Sequence, residues 1–477
     1  MGEGKMTINT DGTCFGDLWR DAVAARSNAT FLVFESSSGS SHSWTYAEFD
    51  DVVARAAAKL TGLGVAQGDS VNLALTNSPA FVALWLASIR LGAWIVPSDP
   101  QSRTQELIEH QSRTHTRVGV CSVHREDEFR AAARSIPVIV IDEDDCELAV
   151  FGTEKFTDWP MLNIHDRASV MFTSGTTGRP KGVDISQANY AFAGQVMATA
   201  SGLTPDDRQL VVLPLFHANA QYYSFASAIA VGASVALMCT FSATRFLQQA
   251  KTYNATHASL FAAPIRMILA RGNTPVPGLA LKHCWYAMNI AEHQYAELAE
   301  LLSCQPRQLY GMTETISHVA LRIIGQESDY HALPGIHFTS ENDCLRIHYP
   351  EIHSTPIQTT DVVELIDEHT FRWKGRSDFA INSGGKKIHP EELEKRLSSF
   401  IAGRFILSSI PHPVWGEALV LLSEEPITLQ KSALLSSFSN AEIPKFAQTV
   451  TMIMTENGKI QRKLTLEQAK EDAWISL

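Results

Sequence analysis

Apolar positions along the 477-residue chain fall into two alternating rhythms. Thr45-x-x-Glu48 forms a capping box ahead of an apolar stripe at Phe49, Val52, Val53, Ala56, Leu60 and Leu63. A helix is therefore expected to start there and to stop at Gly62 and Gly64. Ser70–Leu75 reads as a strand, Phe81–Leu91 as a second helix and Trp94–Val96 as a short apolar run. Arg117–Cys121, Val138–Ile141 and Ala168–Thr173 continue as strands separated by helical or loop segments. The middle repeats this texture, with strands expected at Gln209–Leu213, Ser234–Cys239, His257–Phe261, Leu281–Ala287 and Arg307–Tyr310. Between them lie helical stretches near Gln221–Val231, Thr244–Tyr253, Ile265–Arg271 and Ala291–Ser303.

Strands alternating with helices imply mainly parallel sheets covered on both faces, with ligands beyond the carboxyl ends of the strands. After about Ser328 the helices give way to short β-like pieces at Cys344–Tyr349, Val362–Ile366 and Thr370–Trp373, an antiparallel or barrel-like subdomain. From Asp378 an α+β tail follows, with a helix at Pro390–Phe400 and strands at Ala418–Leu422 and Thr449–Met454. The expected fold class is α/β. Residues 1–377 form a large N-terminal domain of mainly parallel αβ sheets plus the β-rich subdomain, and 378–477 form a small α+β C-terminal domain. A chain this long needs at least two cores.

Composition narrows the function. Apolar residues make up 45% and charged residues 19%, ordinary values for a folded protein. The formal charge of −12 excludes a broad phosphate-tracking surface and hence nucleic acid as a partner, while local basic groups and backbone N–H donors still suit a nucleotide. The seven cysteines are scattered with no C-x-x-C pair, which fits neither a disulfide framework nor a zinc site and suits a reducing compartment. The polar start lacks the apolar core of a signal peptide. Gly2 lacks the Ser or Thr that myristoylation needs at Met6, and no apolar window is long enough for a membrane span. A cytoplasmic location is expected.

Four segments carry chemistry. T-S-G-T-T-G-R-P-K-G, Thr173 to Gly182, follows a strand and precedes a helix that Ser186 can cap. Its glycines let backbone N–H groups approach an anion, Thr173, Ser174, Thr176 and Thr177 add hydroxyls, and Lys181 adds a charge. It is not the G-x-x-x-x-G-K-[ST] loop, because Gly178 to Lys181 is too short and no Ser or Thr follows Lys181. On composition alone it is equally a flexible turn. Y-G-M-T-E-T, Tyr310 to Thr315, ends a strand with a carboxylate beside hydroxyls, a set of oxygens that suits Mg²⁺ or a plain turn. G-R-S-D-F-A-I-N-S-G-G-K-K-I-H-P-E-E-L-E, Gly375 to Glu394, places Arg376 where it can fork onto ribose or phosphate. Its glutamates read as partners of a helix dipole starting at Pro390. N-G-K, Asn457 to Lys459, is a tail turn in which a lysine is ordinarily solvated.

The order and spacing of these segments, with Gly68–Pro100 ahead of them, resemble the adenylate-forming superfamily of acyl-CoA synthetases, adenylation domains and firefly-type luciferases, from about Trp44 to Leu464. P-L-F-H-A-N (Pro214–Asn219) and Q-L-Y-G-M-T-E-T-I (Gln308–Ile316) are most similar to small-acid CoA ligases of the carnitine/crotonobetaine type, and Ile381–Glu394 resembles the tail of compact aryl- or acyl-CoA ligases. The resemblance implies ATP, Mg²⁺ and coenzyme A as cofactors, a small carboxylic acid as substrate, and a monomer or homodimer.

By that resemblance Thr173, Ser174, Gly175, Thr176, Thr177, Gly178 and Lys181 embrace the β,γ-phosphates and Tyr310 stacks on the base. Thr313 contacts the α-phosphate, Glu314 binds Mg²⁺, and Asp361 and Arg376 hold the ribose. Lys459 reaches the reacting carboxylate from a mobile small domain hinged at Asp378, and Gly384–Gly385 line the thiol channel. His217 lies between acid pocket and thiol channel, or is simply a packed loop histidine. Ala218, Asn219, Ala287, Met288 and Asn289 line the acid pocket.

Three departures stand out. The ribose motif is Thr359-Thr360-Asp361 where T-G-D is usual, the stretch from Glu314 to Asp361 is short, and Ala287-Met288-Asn289 replaces a small glycine-containing strand end, which implies a shallow pocket for a small or flat acid. Transfer to a carrier-protein thiol or an amine, or activation of nitrite in a diazo-forming reaction, are the alternatives to CoA. A nucleotide-binding protein without activity would not need the loop, Glu314 and Lys459 together.

Overall fold

A computed structural model describes residues 12–173, 181–322, 329–349, 355–383, 386–401, 403–427, 434, 438–454, 460–470 and 473–476. Contacts divide the chain into two compact units, Met1–Gln326 and Glu327–Leu477.

In the first unit the capping box at Thr45 forms as expected. The Thr45 hydroxyl accepts from the Glu48 amide at 3.2 Å, the Glu48 carboxylate accepts from the Thr45 amide at 2.8 Å, and the helix Tyr46–Gly62 follows. The next helix, Pro79–Arg90, is capped by Ser78 and buried on every side, which is why its sequence is apolar all round.

Strands β1 (Thr30–Glu35) and β2 (Ser41–Thr45) make a hairpin. Strands β3 (Ser70–Ala74), β4 (Trp94–Pro97), β5 (Val118–Ser122), β6 (Val138–Ile141), β7 (Arg167–Thr173) and β8 (Lys181–Ser186) form one sheet in the order β6-β5-β3-β4-β7-β8. All its pairings are parallel except β7 with β8. Strands β9 (Arg208–Val211), β10 (Ser234–Met238), β11 (His257–Phe261), β12 (His283–Ala287) and β13 (Arg307–Gly311) extend parallel from β1 in the order β1-β10-β9-β11-β12-β13. The antiparallel strand β14 (His318–Arg322) flanks β13. The near-continuous apolar runs of these strands follow from burial on both faces, and one cluster gathers Leu210, Ala236, Ala258, Leu260, Tyr286 and Leu298.

The second unit opens with β15 (Tyr330–Ala332), β16 (His337–Glu341), β17 (Cys344–His348), β18 (Ile357–Asp367) and β19 (Thr370–Arg376), antiparallel as expected. A turn at Ser377–Phe379 leads to a second sheet of β20 (Ile381–Ser383), β21 (Lys386–Ile388), β22 (Phe405–His412), β23 (Gly416–Ser423), β24 (Phe446–Thr449) and β25 (Ile475–Ser476), with the helix Pro390–Leu397. The point expected to act as a hinge, Asp378, thus lies inside this unit.

Four differences from the sequence reading have physical causes. The helix Phe15–Arg26 and the β1–β2 hairpin were not anticipated; β2 (S-H-S-W-T) is mostly exposed and carries little apolar pattern. Strand β22 has a Ser pair and a Pro, yet pairs with β23 along its whole length. The strand expected at Thr449–Met454 instead occupies Phe446–Thr449, because its parallel partner β23 ends at Ser423, opposite Thr449. The helix expected over Gln221–Val231 begins as a π-helix, Ala220–Ala226, before turning α at Ser227–Val231.

Candidate functional site

The glycine-rich loop joins two paired strands. Thr173 faces Lys181 in the β7–β8 register, with the Thr173 hydroxyl 3.4 Å from the Lys181 carbonyl. Ser174, Gly175, Thr176, Thr177 and Gly178 lie outside the described residues. The helix capped by Ser186 does form, at Gln187–Ser201, but β8 stands between it and the loop. The loop therefore differs from nucleotide loops that place phosphate on a helix N-terminus. Its root is fixed by Phe172, whose ring stacks on His110 (4.1 Å, 7°) beneath the Arg113 guanidinium, 4.9 Å from the ring centre. His110 bonds the Ser98 hydroxyl at 2.9 Å, and burial pushes its pKa down to about 4.

At the carboxyl end of β13 the chain makes a tight turn. Thr313–Thr315 is a single 3₁₀ turn in which the Met312 amide donates to the Thr315 hydroxyl at 3.0 Å. Ile316 then takes a left-handed φ of 66°, and His318 starts β14 opposite Gly311. A Cβ at Gly311 would sit 2.9 Å from the His318 Cα and the Ser317 carbonyl, so only glycine permits this approach. Thr313 and Glu314 are left half-buried at a strand end, where α/β sheets bind ligands. Among the described residues no three carboxylate, His or Cys side chains gather as a metal site. Glu314 alone fits Mg²⁺ that leans mainly on phosphate oxygens.

Ala287 ends β12, and Met288 adopts φ 72°, an unusual conformation for a side chain of its size. Gln308 holds this bend by donating at 2.8 Å to both the Met288 carbonyl and the Asn289 amide oxygen. Arg322 bonds Gln308 at 2.7 Å, and Arg266 donates to the Asn289 carbonyl at 3.0 Å. The Asn289 side chain is thus engaged in holding the loop.

The P-L-F-H-A-N segment follows β9. Asn77, from the loop after β3, donates to the Leu213 and Met238 carbonyls at 3.0 Å and accepts from the Leu215 amide at 2.8 Å. Gln221 donates to the Leu215 carbonyl and accepts from the Tyr190 hydroxyl. His217 is half-buried with its ring against Phe216 (4.4 Å), and Ala218 is half-buried beside it. Asn219 is buried, and neither its amide oxygen nor its amide nitrogen finds a hydrogen-bond partner among the described residues.

In the second unit, Asp361 on β18 and Arg376 on β19 are register partners. The Trp373 indole donates to Asp361 at 3.0 Å, while Arg376 donates to Thr360 at 2.6 Å and to Asp378 at 2.7 Å. Thr360, which stands where glycine is usual, supplies the hydroxyl that steadies Arg376. Gly384, Gly385 and Lys459 lie outside the described residues.

Sequence reasoning missed Arg462. Its guanidinium forks onto Glu394 (2.6 and 2.7 Å), bonds the Leu407 carbonyl at 2.8 Å and lies over Phe379. Glu394, read from sequence as a partner of the helix dipole, instead anchors the chain three residues after Lys459. No local pattern signals a pair 68 positions apart. Asn77, His110 and His318 were missed for the same reason.

The family model for AMP-binding enzymes matches residues 19–340. A crotonobetaine/carnitine–CoA ligase from Salmonella enteritidis is 29% identical over 63% of this chain, which spans 61% of that relative's length. The crystal structure of ATP-bound MatB from Rhodopseudomonas palustris superposes with TM-score 0.84 at 19% identity, covering 96% of this chain and 99% of that one. An anthranilate CoA ligase, AuaEII, solved with anthranoyl-AMP, gives TM-score 0.81 at 17% identity over 96% and 97%. With two thirds of its length matched by one family model and the motif order intact, the chain belongs to the AMP-binding enzyme family, within the adenylate-forming superfamily.

Proposed function

We propose that this protein uses ATP to convert a small carboxylic acid into its acyl-adenylate, and then transfers the acyl group to the thiol of coenzyme A. A carboxylate oxygen attacks the α-phosphorus and pyrophosphate leaves; the thiol then attacks the acyl carbon and AMP leaves. The observation that carries the reading is the turn after β13, which presents Thr313 and Glu314 half-buried at the carboxyl end of a parallel sheet. Names of relatives that are CoA ligases, and a structural neighbour holding an acyl-AMP, support it.

Charge accumulates on the phosphates as the reaction proceeds, so preorganised donors matter most. We assign the pyrophosphate grip to Thr173–Lys181, the α-phosphate contact to Thr313, base stacking to Tyr310 and the ribose to Asp361 and Arg376. Mg²⁺ held by Glu314 would neutralise charge on the triphosphate. Lys459 carries positive charge to the reacting carboxylate as residues 378–477 rotate about Asp378, and Arg462 positions that segment. His217 separates acid from thiol, and Gly384–Gly385 border the thiol's path. A cytoplasmic setting belongs to the same reading and rests on the scattered, unpaired cysteines.

The test is product analysis over a panel of acids with and without CoA. AMP, pyrophosphate and an acyl-CoA in equal amounts are expected. Adenylate formed with CoA untouched would move the acceptor to a carrier-protein thiol or an amine, and nitrite-dependent AMP release would move the substrate. Lys459→Ala should lower adenylate formation by about 10³-fold while ATP binding persists; a native rate would remove Lys459 from the mechanism.

A further inference from the structure

Two buried polar side chains near the acyl-binding segment have hydrogen-bonding atoms without partners. Asn219 is 4% exposed, and both its amide atoms lack partners among the described residues. His318 is 3% exposed, and its Nδ1 likewise has none. Tyr223 packs on the second of them. Its ring stacks on the His318 imidazole with centroids 3.8 Å apart and planes 18° from parallel. Asn219 is already helical (φ −54°, ψ −56°) and enters the π-helix Ala220–Ala226. Tyr223 therefore follows it by four residues, about one turn along the same face. Gln209 fixes the far side of that turn by donating to the Tyr223 carbonyl at 3.3 Å. His318 sits across from Gly311, where a Cβ would meet the His318 Cα and the Ser317 carbonyl at 2.9 Å, so the two strands approach closely beside the imidazole.

Unpartnered buried polar atoms cost about 1–3 kcal/mol each, and Asn219 leaves both of its amide atoms so among the described residues. Asn219 follows the carboxyl end of β9, and His318 follows that of β13, the rim where this fold class binds its ligands. We propose that Asn219 and His318, gathered about Tyr223, form the polar recognition point of the acyl pocket, and that the preferred acid carries a hydroxyl group besides its carboxylate. A hydroxyl both donates and accepts, which matches an amide with both atoms unpartnered and an imidazole with Nδ1 unpartnered among the described residues. A charged group would need a countercharge, and none of these three side chains supplies one. Burial holds the imidazole neutral, which leaves one ring nitrogen able to accept. This inference rests on the adenylation reading and names its substrate class.

The test is acid-dependent ATP–pyrophosphate exchange with matched pairs: butanoate and 3-hydroxybutanoate, benzoate and each monohydroxybenzoate. The intact protein should favour one hydroxy acid over its deoxy partner by at least about tenfold in kcat/KM. Asn219→Leu and His318→Phe, which keep volume and stacking, should each lower kcat/KM for the hydroxy acid about tenfold more than for its deoxy partner. The melting temperature of Asn219→Leu should stay level or rise. Exchange with no hydroxy preference, an unchanged ratio in both variants, or a marked loss of stability in Asn219→Leu would overturn the proposal while leaving adenylation standing. Exchange with no acid at all would overturn the adenylation reading, and this one with it.

Discussion

Two asparagines, one bonded to the start of the P-L-F-H-A-N segment and one at its end, are buried to the same degree and treated in opposite ways. Asn77, 3% exposed, makes three hydrogen bonds, to Leu213 and Leu215 at the start of the P-L-F-H-A-N segment and to Met238 at the end of β10. Asn219, 4% exposed, makes none among the described residues at the end of it. The first is scaffold: its partners are the backbone groups of Leu213, Met238 and Leu215. The second has the signature of a group kept ready for something else. Burial alone does not separate these two residues; the hydrogen-bond inventory does.

The contrast yields predictions of graded size. The scaffold extreme is the Arg462–Glu394 pair, where Glu394→Gln breaks a forked, nearly buried ion pair and should cost about 3–5 kcal/mol in urea unfolding of the full chain. A cost under 1 kcal/mol would show that the pair does not anchor the segment after Lys459. Asn77→Leu should cost about 3 kcal/mol by the same measurement, because it orphans an amide and two carbonyls; a neutral result would erase the distinction between the two asparagines.

His110 gives a titratable version. Its folded pKa, about 4, lies below the unfolded value of about 6.5, so the unfolded chain binds the extra proton between those values. Stability is therefore complete above pH 6.5 and falls as pH drops toward 4. His110→Phe should remove about 2 kcal/mol of the loss between pH 7 and pH 5, and an unchanged pH profile would mean the imidazole is not held neutral. The smallest effect is expected at Asn219→Leu, within about 1 kcal/mol of the parent.

Much of the first unit was legible in the sequence because its strands are buried on both faces and its helices carry explicit stops and starts, as at Thr45 and Ser186. What escaped were elements stabilised by distant partners. Strand β22 is held by β23, and the β1–β2 hairpin is only weakly patterned. The motif-bearing turns were legible for a different reason: glycine, hydroxyl and carboxylate residues at fixed spacing constrain the backbone directly, as Gly311 does against His318. The side chains that arrange those turns were not legible. Asn77, Gln308, Arg322 and Arg462 act on residues 14 to 161 positions away, and only the fold brings them together.

The central claim is that a carboxylic acid displaces pyrophosphate from ATP before any acceptor arrives. Acid-dependent exchange of labelled pyrophosphate into ATP, measured without CoA, reports that step alone. The account predicts exchange that requires an acid and survives omission of CoA. Release of ADP in place of AMP, or no exchange across the full acid panel despite ATP binding, would contradict it.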